Sequence, residues 1–243
     1  MAEPVLELSS VLLPLAQVCQ PMDWVVRKGE IWVIDGPSGS GKTTLFKVMT
    51  GLIQPRSGTV KLFGCDLNQI HARHLNRLRR RMGVLLEGDG LIPSWTVFEN
   101  LALPWRYHDL LQKEQVEPYI RAQLLRYQED ADLLPRVVAT LTLDQRLRMA
   151  LLRTVQREPE LLLLDNDRVA FHLQRLMALS LGHKLEQGAL AVVVRGGAAI
   201  GAFFPKERIH LAVVKEGHLL AAGRWKDLCN HPNPDVMQTV KGY

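Results

Sequence analysis

Cysteine is scarce in this chain, long apolar runs are missing, and there is no internal repeat or low-complexity linker. The 243 residues include 3 Cys, at positions 19, 65 and 229, with no CxxC pair. So sparse and odd a set excludes a disulfide framework and reads as reduced thiols of a cytosolic protein. No apolar run approaches the roughly 20 residues that cross a bilayer. The longest, residues 161–164 and 189–194, have the length of buried strands. The opening Met-Ala-Glu-Pro lacks the basic and apolar character of a secretion signal, so any work at a membrane is expected to go through another protein. Composition is that of a globular domain, with 47% hydrophobic and 23% charged residues, which excludes disorder. The net charge of +5 is too mild to imply nucleic acid.

What is there is an alternation of strand-like and helix-like segments, the pattern of an α/β fold. Apolar clusters over residues 5–34 end in Glu30-Ile31-Trp32-Val33-Ile34-Asp35. A Gly-rich turn follows, then a helical stretch from Lys42 to Thr50-Gly51. Residues 70–82 are strongly basic, with His71, Arg73, His74, Arg77, Arg79, Arg80 and Arg81, and read first as a solvated helix face. Residues 83–86 read as a strand. Residues 96–158 read as helical, with breaks expected near Pro104, Pro118 and Pro135. Residues 161–164 and 191–194 read as buried parallel strands. Residues 206–223 read as a hairpin turning at Lys215-Glu216-Gly217-His218, and the polar tail as partly helical.

The chemistry is concentrated in Gly36-Pro37-Ser38-Gly39-Ser40-Gly41-Lys42-Thr43, a full match to G-x-x-x-x-G-K-[ST] between a strand and a helix. Glycines let backbone N–H groups curl around phosphates, Lys42 can reach the outer phosphates, and the Thr43 hydroxyl can ligate Mg²⁺. Gly36 to Thr43, with Thr44, are therefore the candidate binding residues for ATP or ADP. Asp165, ending the run Leu161–Leu164, is the natural second metal residue with Thr43.

With these motifs, the chain resembles the ATPase subunits of ABC transporters over nearly its whole length. Supporting stretches are Gly51-Leu-Ile-Gln-Pro-Arg-Ser-Gly-Thr59, the run from Gln145 through Arg157-Glu-Pro-Glu160 to Asp165, and Lys215 to His218 with Gly223. Within the family it resembles the MCE-type (Mla-like) lipid-transport ATPases, on Thr96-Val-Phe-Glu-Asn-Leu-Ala-Leu-Pro104 and Asn233-Pro-Asp-Val-Met-Gln238. The resemblance implies a P-loop NTPase core with a mixed sheet and an inserted helical lobe. The single domain 1–243 would comprise a core of 1–86 and 159–223, a lobe of 87–158 and a tail of 224–243. It also implies pairing as a homodimer or with another ATPase subunit, an integral-membrane permease, an MCE-type substrate-binding component in the complex, and a cytoplasmic place on the inner membrane. No nucleic-acid partner is expected.

Against the family pattern, several positions depart. The catalytic Glu that follows the Walker B Asp is replaced by Asn166. An amide can hold water but cannot accept its proton. The switch His is replaced by Arg195, which can bind phosphate but not relay a proton. The Q-loop Gln is replaced by Glu87. The LSGGQ signature reads Leu141-Thr142-Leu143-Asp144-Gln145, so Leu143 and Asp144 replace glycines and add bulk and negative charge. The D-loop region, Val169-Ala-Phe-His172, lacks its acid, and residues 1–23 contain no aromatic to stack on adenine. Trp24 reads as core packing. These losses together imply a non-hydrolysing scaffold or regulatory subunit. An active ATPase using Glu87 as base is the alternative, and a nucleic-acid-linked protein without a permease, resting on the basic helix alone, is the weakest reading. Trp95, Phe98, Trp105 and Tyr107 are expected near the permease contact around residues 88–110.

Overall fold

The computed structural model describes residues 2–15, 20–108, 110–169, 172, 175, 177–188, 190–195 and 206–241. Two sheets organise them. A four-stranded antiparallel sheet orders β2 (Met22–Arg27), β1 (Pro4–Leu12), β4 (Ser57–Leu62) and β5 (Cys65–Asp66). A six-stranded mixed sheet runs β10 (His218–Arg224), β9 (Ile209–Lys215), β3 (Ile31–Asp35), β8 (Ala191–Arg195), β7 (Leu161–Leu164) and β6 (Met82–Leu85). Only the β9–β10 pair is antiparallel, closed by a turn in which Glu216 and Gly217 both have positive φ. The other pairs are parallel. Their strands are buried on both faces, which is why β7 and β8 read as unbroken apolar runs.

α1 (Lys42–Met49) follows β3, and α2 (Ala72–Arg80) carries the basic stretch, burying only Leu78. α3 (Val97–Tyr107), α4 (Lys113–Arg126) and α5 (Leu143–Val155) pack as a helical group beside β6. The expected breaks at Pro104 and Pro118 do not occur, because both prolines lie inside helices, in α3 and α4. Each loses one i→i−4 hydrogen bond. Burial of Leu101, Ala102 and Trp105 on α3 and of Val116, Ile120 and Leu124 on α4 outweighs that loss. α3 ends instead at Tyr107 and α4 begins at Lys113, while the break expected near Pro135 does occur, between Arg126 and Leu143.

The aromatic residues divide. Trp105 is buried against Tyr119, with ring centroids 4.4 Å apart, and so packs inside the helical group rather than on a contact surface. Tyr107 is 68% exposed and Trp95 is 37% exposed. Trp24 is core, edge-on to Trp32 at 5.1 Å. Among the described residues no helix is long and apolar enough to cross a membrane.

Candidate phosphate-binding site

Every chemically important residue named above except those of the signature lies at the carboxyl edge of the parallel strands. In open α/β sheets that edge is where ligands bind. β3 ends at Asp35 and delivers the Gly-rich loop. β7 ends at Leu164 and delivers Asp165 and Asn166. β8 ends on Arg195, and β6 ends just before Glu87. The register fixes their spacing. Ile34 pairs with Arg195 and Leu164 with Val194, while the Asp165 N–H donates to the Leu85 carbonyl at 2.7 Å.

The loop is shaped by its glycines where the backbone demands it. Gly36 has φ +148° and lies so close to β9 that a Cβ there would sit 1.9 Å from the Val214 oxygen. Gly41 caps α1 in the left-handed conformation, with no side-chain cap and no acid in the first turn. The helix N-terminus is therefore left to an anion. Ser40 is buried and its carbonyl accepts from the Gly217 N–H at 2.8 Å, tying the loop to the β9–β10 hairpin. Lys42 folds back over the loop. Its Nζ donates to the carbonyls of Gly36 and Pro37, at 2.7 Å each, and to Ser40 Oγ at 3.3 Å. The cradle of Ser38, Gly39, Ser40, Gly41, Lys42, Thr43 and Thr44 is completed by Leu15 and Arg195 in an open cavity of about 220 Å³. Leu15 was not evident from the sequence as a cavity residue, since its side chain reaches the loop only through the fold.

Asp165 is fully buried, and burial pushes its carboxyl above the usual carboxylate range, with the Thr43 hydroxyl, Arg195 and Lys42 opposing the shift and Glu87 adding to it. Arg195 Nε stands 3.3 Å from Asp165 Oδ1. Beyond the Thr43 hydroxyl and Arg195, neither carboxylate oxygen has a further hydrogen-bond partner among the described residues. A buried carboxylate with unfilled acceptor capacity beside a threonine hydroxyl is a donor set that suits Mg²⁺.

The position after Asp165 behaves differently from a water-activating group. Asn166 is 6% exposed and both ends of its amide are engaged. Nδ2 donates to the Gly88 carbonyl and Oδ1 accepts from the Arg168 N–H, at 2.8 and 2.9 Å. Asn166, Arg195, Glu87 and Leu143 line one cleft of about 460 Å³ with Asp89 and Arg146. Glu87 is exposed on its rim. Asp89 and Arg146, missed in the sequence, form an ion pair that ties the loop after β6 to α5.

The signature-like segment is a helix start. Thr142 caps α5, its Oγ accepting from the Gln145 N–H at 3.2 Å while Gln145 Oε1 accepts from the Thr142 N–H at 3.0 Å. Leu143 is 49% exposed. Asp144, expected to add negative charge, is exposed and lies 2.9 Å from Arg148 and 3.2 Å from the His172 ring. Of the Val169–His172 stretch, Ala170 and Phe171 lie outside the described residues; Val169 is buried.

Comparison with known proteins agrees with this geometry. The family described as ABC transporter matches residues 19–167, more than half of the chain. The methionine import ATP-binding protein MetN 1 of Bacillus cereus is 30% identical over 215 residues, covering 85% of this chain and 59% of that protein. The intermembrane phospholipid transport system ATP-binding protein MlaF of Haemophilus influenzae is 33% identical over 142 residues, covering 58% of this chain and 53% of that protein. The chain thus spans little more than half the length of these relatives. A solved dimeric bacterial ABC transporter cassette superposes with a TM-score of 0.76 at 21% identity, covering 90% of this chain and 98% of the cassette. A post-hydrolysis dimer of such a cassette bound to ADP and Pi gives 0.72 at 21% identity, with the same coverage. At that identity the likeness concerns the fold, an ABC ATPase cassette.

Proposed function

The chain belongs to the ABC transporter family, and from that premise we propose that it is a nucleotide-binding subunit that holds ATP or ADP but turns it over slowly or not at all. It then acts as a scaffold or regulator beneath a permease. One observation carries this reading: the residue after Asp165 is an amide with both ends committed to the protein backbone. It has no basic oxygen to take a proton from water.

On this reading Gly36 to Thr44 cradle the phosphates, and Lys42 exchanges its loop carbonyls for phosphate oxygens. Thr43 and Asp165 hold a Mg²⁺ when one is bound, and that ion would neutralise phosphate charge. Arg195, Glu87, Leu143 and Asp144 are the positions at which catalysis is impaired. The division into a core of 1–86 and 159–223, a helical lobe of 87–158 and a tail of 224–243 belongs to the same reading. So does pairing with a second ATPase subunit, identical or not, on the cytoplasmic side of a membrane. A groove between β6, α3 and α5, lined by Val84, Leu103, Pro104 and the exposed Tyr107, suits a permease helix.

For cargo, the reading is lipid transport of the MCE/Mla type, supported by Thr96 to Pro104, Asn233 to Gln238 and the MlaF match. Relatives named for methionine import match a longer part of the chain. Mass spectrometry of the complex captured through a tag on this chain separates the two: an MCE component supports lipid transport, and a methionine-type permease overturns it.

The test of slow turnover is steady-state ATPase activity of that complex, wild type against Lys42→Ala. Turnover near the ordinary enzyme range of about 1 per second or faster, lost on Lys42→Ala, overturns the reading. One observation favours a second reading, catalysis by another acid: Glu87 shares the cleft with Asn166 and Arg195 and acts electrostatically on Asp165. Glu87→Gln would then abolish turnover.

A further inference from the structure

We propose that Arg195 is a built-in cation of the nucleotide site, so that this chain holds ATP or ADP on the Gly36–Thr43 loop with or without Mg²⁺. The inference rests on the nucleotide-binding reading above and adds to it the charge that does the binding. Arg195 ends β8 opposite Ile34 of β3, one residue short of the strand end that opens into the loop. Its side chain lines the loop cavity and also the neighbouring cleft, so it stands at the junction of the two. Nε is 3.3 Å from Asp165 Oδ1, inside the sheet edge where that carboxylate is fully buried.

In P-loop sites the Walker B acid and the loop threonine hold a divalent ion that offsets phosphate charge. Here a fixed positive charge already faces that acid. A divalent ion entering beside it meets repulsion from Arg195, and from Lys42 across the loop, at twice the strength a single charge would feel. The guanidinium is planar, permanently charged and rich in donors, so it can serve a carboxylate and a phosphate oxygen together. Histidine at the same place would be mostly neutral at pH 7 and could not do this.

The full chain is titrated with a fluorescent ATP analogue in excess Mg²⁺ and in excess EDTA. Wild type is expected to bind with a Kd that differs by less than about threefold between the two media, a difference well under 1.4 kcal/mol. Arg195→Ala is expected to bind about tenfold or more weakly in EDTA and to recover in Mg²⁺, while Arg195→Lys, which keeps the charge, tracks wild type. Wild-type binding that needs Mg²⁺ overturns the inference and leaves the nucleotide-binding reading standing. Mg²⁺-independent binding that Arg195→Ala leaves unchanged also overturns it. Absence of binding in both media overturns both. The wild-type arms need no variant to fold.

Discussion

The side-chain amide of Asn166 donates to the backbone carbonyl of Gly88 at 2.8 Å, joining the end of β7 to the loop that follows β6. The two loops that flank the cleft are held together by this bond, and the Asn166 carbonyl fixes the next turn by accepting from Arg168. An amide is the one side chain of this length that offers a donor and an acceptor at once.

Asn166→Ala is therefore expected to destabilise the protein by about 1–2 kcal/mol, since two part-buried hydrogen bonds, to Gly88 and from Arg168, are lost. In a chain of this size that lowers Tm by about 2–8 °C. Asn166→Asp, nearly isosteric, should be no better than Ala at neutral pH, because it turns a carboxylate oxygen toward the Gly88 carbonyl. Thermal denaturation of the three proteins side by side checks both; an Asp variant as stable as wild type would show that the bond is dispensable.

Gly36 and Gly39 should respond very differently to the same added methyl group. At Gly36 a Cβ meets the Val214 oxygen at 1.9 Å, so β9 or the loop must move. At Gly39, φ is +76° but nothing lies within 4 Å of the added atom. Gly39→Ala is expected to cost about 1–2 kcal/mol from backbone strain alone. Gly36→Ala is expected to cost more, with a yield of folded protein well below that of Gly39→Ala. Circular-dichroism melts of the pair decide it.

His210 gives the fold a pH dependence on the acidic side. Its ring stacks on Trp32 at 4.8 Å, and burial pushes its pKa below the ordinary value, with Glu30 opposing. Below about pH 6.5 the unfolded chain takes up a proton that the folded chain resists. The stability this histidine confers is thus present above about pH 6.5 and is lost as pH falls toward the depressed native value. His210→Phe, which keeps the stacking and cannot titrate, should flatten the fall in urea midpoint between pH 7 and about pH 5. An unchanged slope would assign the acid sensitivity to other groups.

The features legible in the sequence are those fixed by neighbours along the chain. The loop from Gly36 to Thr43, the four-residue apolar run of β7 and the Glu216-Gly217 turn each carry their own local signature. What escaped was set by residues far apart. Pro104 and Pro118 stay helical because tertiary burial outweighs one lost hydrogen bond each. Trp105 turns inward because Tyr119 lies across from it on α4. Asp144 is paired with Arg148, an i+4 neighbour visible in principle, and also lies 3.2 Å from the His172 ring of another segment. The double engagement of Asn166 depends on a carbonyl 78 residues away in the chain.

Introducing the family glutamate should not by itself give rapid hydrolysis. Asn166→Glu removes the donor to Gly88, so the loop it braced loses its anchor. The new carboxylate also enters the cleft that Arg195 lines. A guanidinium and a carboxylate sharing that cleft can form a charge-assisted pair, which lowers the basicity of the glutamate and aims it at Arg195 rather than at water. The single variant is expected to stay far below about 1 turnover per second. Replacing Arg195 with His at the same time removes the competing cation and supplies a group that can exchange protons near neutral pH. Asn166→Glu with Arg195→His should therefore exceed either single change by more than their product. Steady-state phosphate release from the four proteins, each with and without Lys42→Ala as the control for contaminating activity, measures the coupling. A single Asn166→Glu that turns over as fast as the double variant would mean that Arg195 places no constraint on the base.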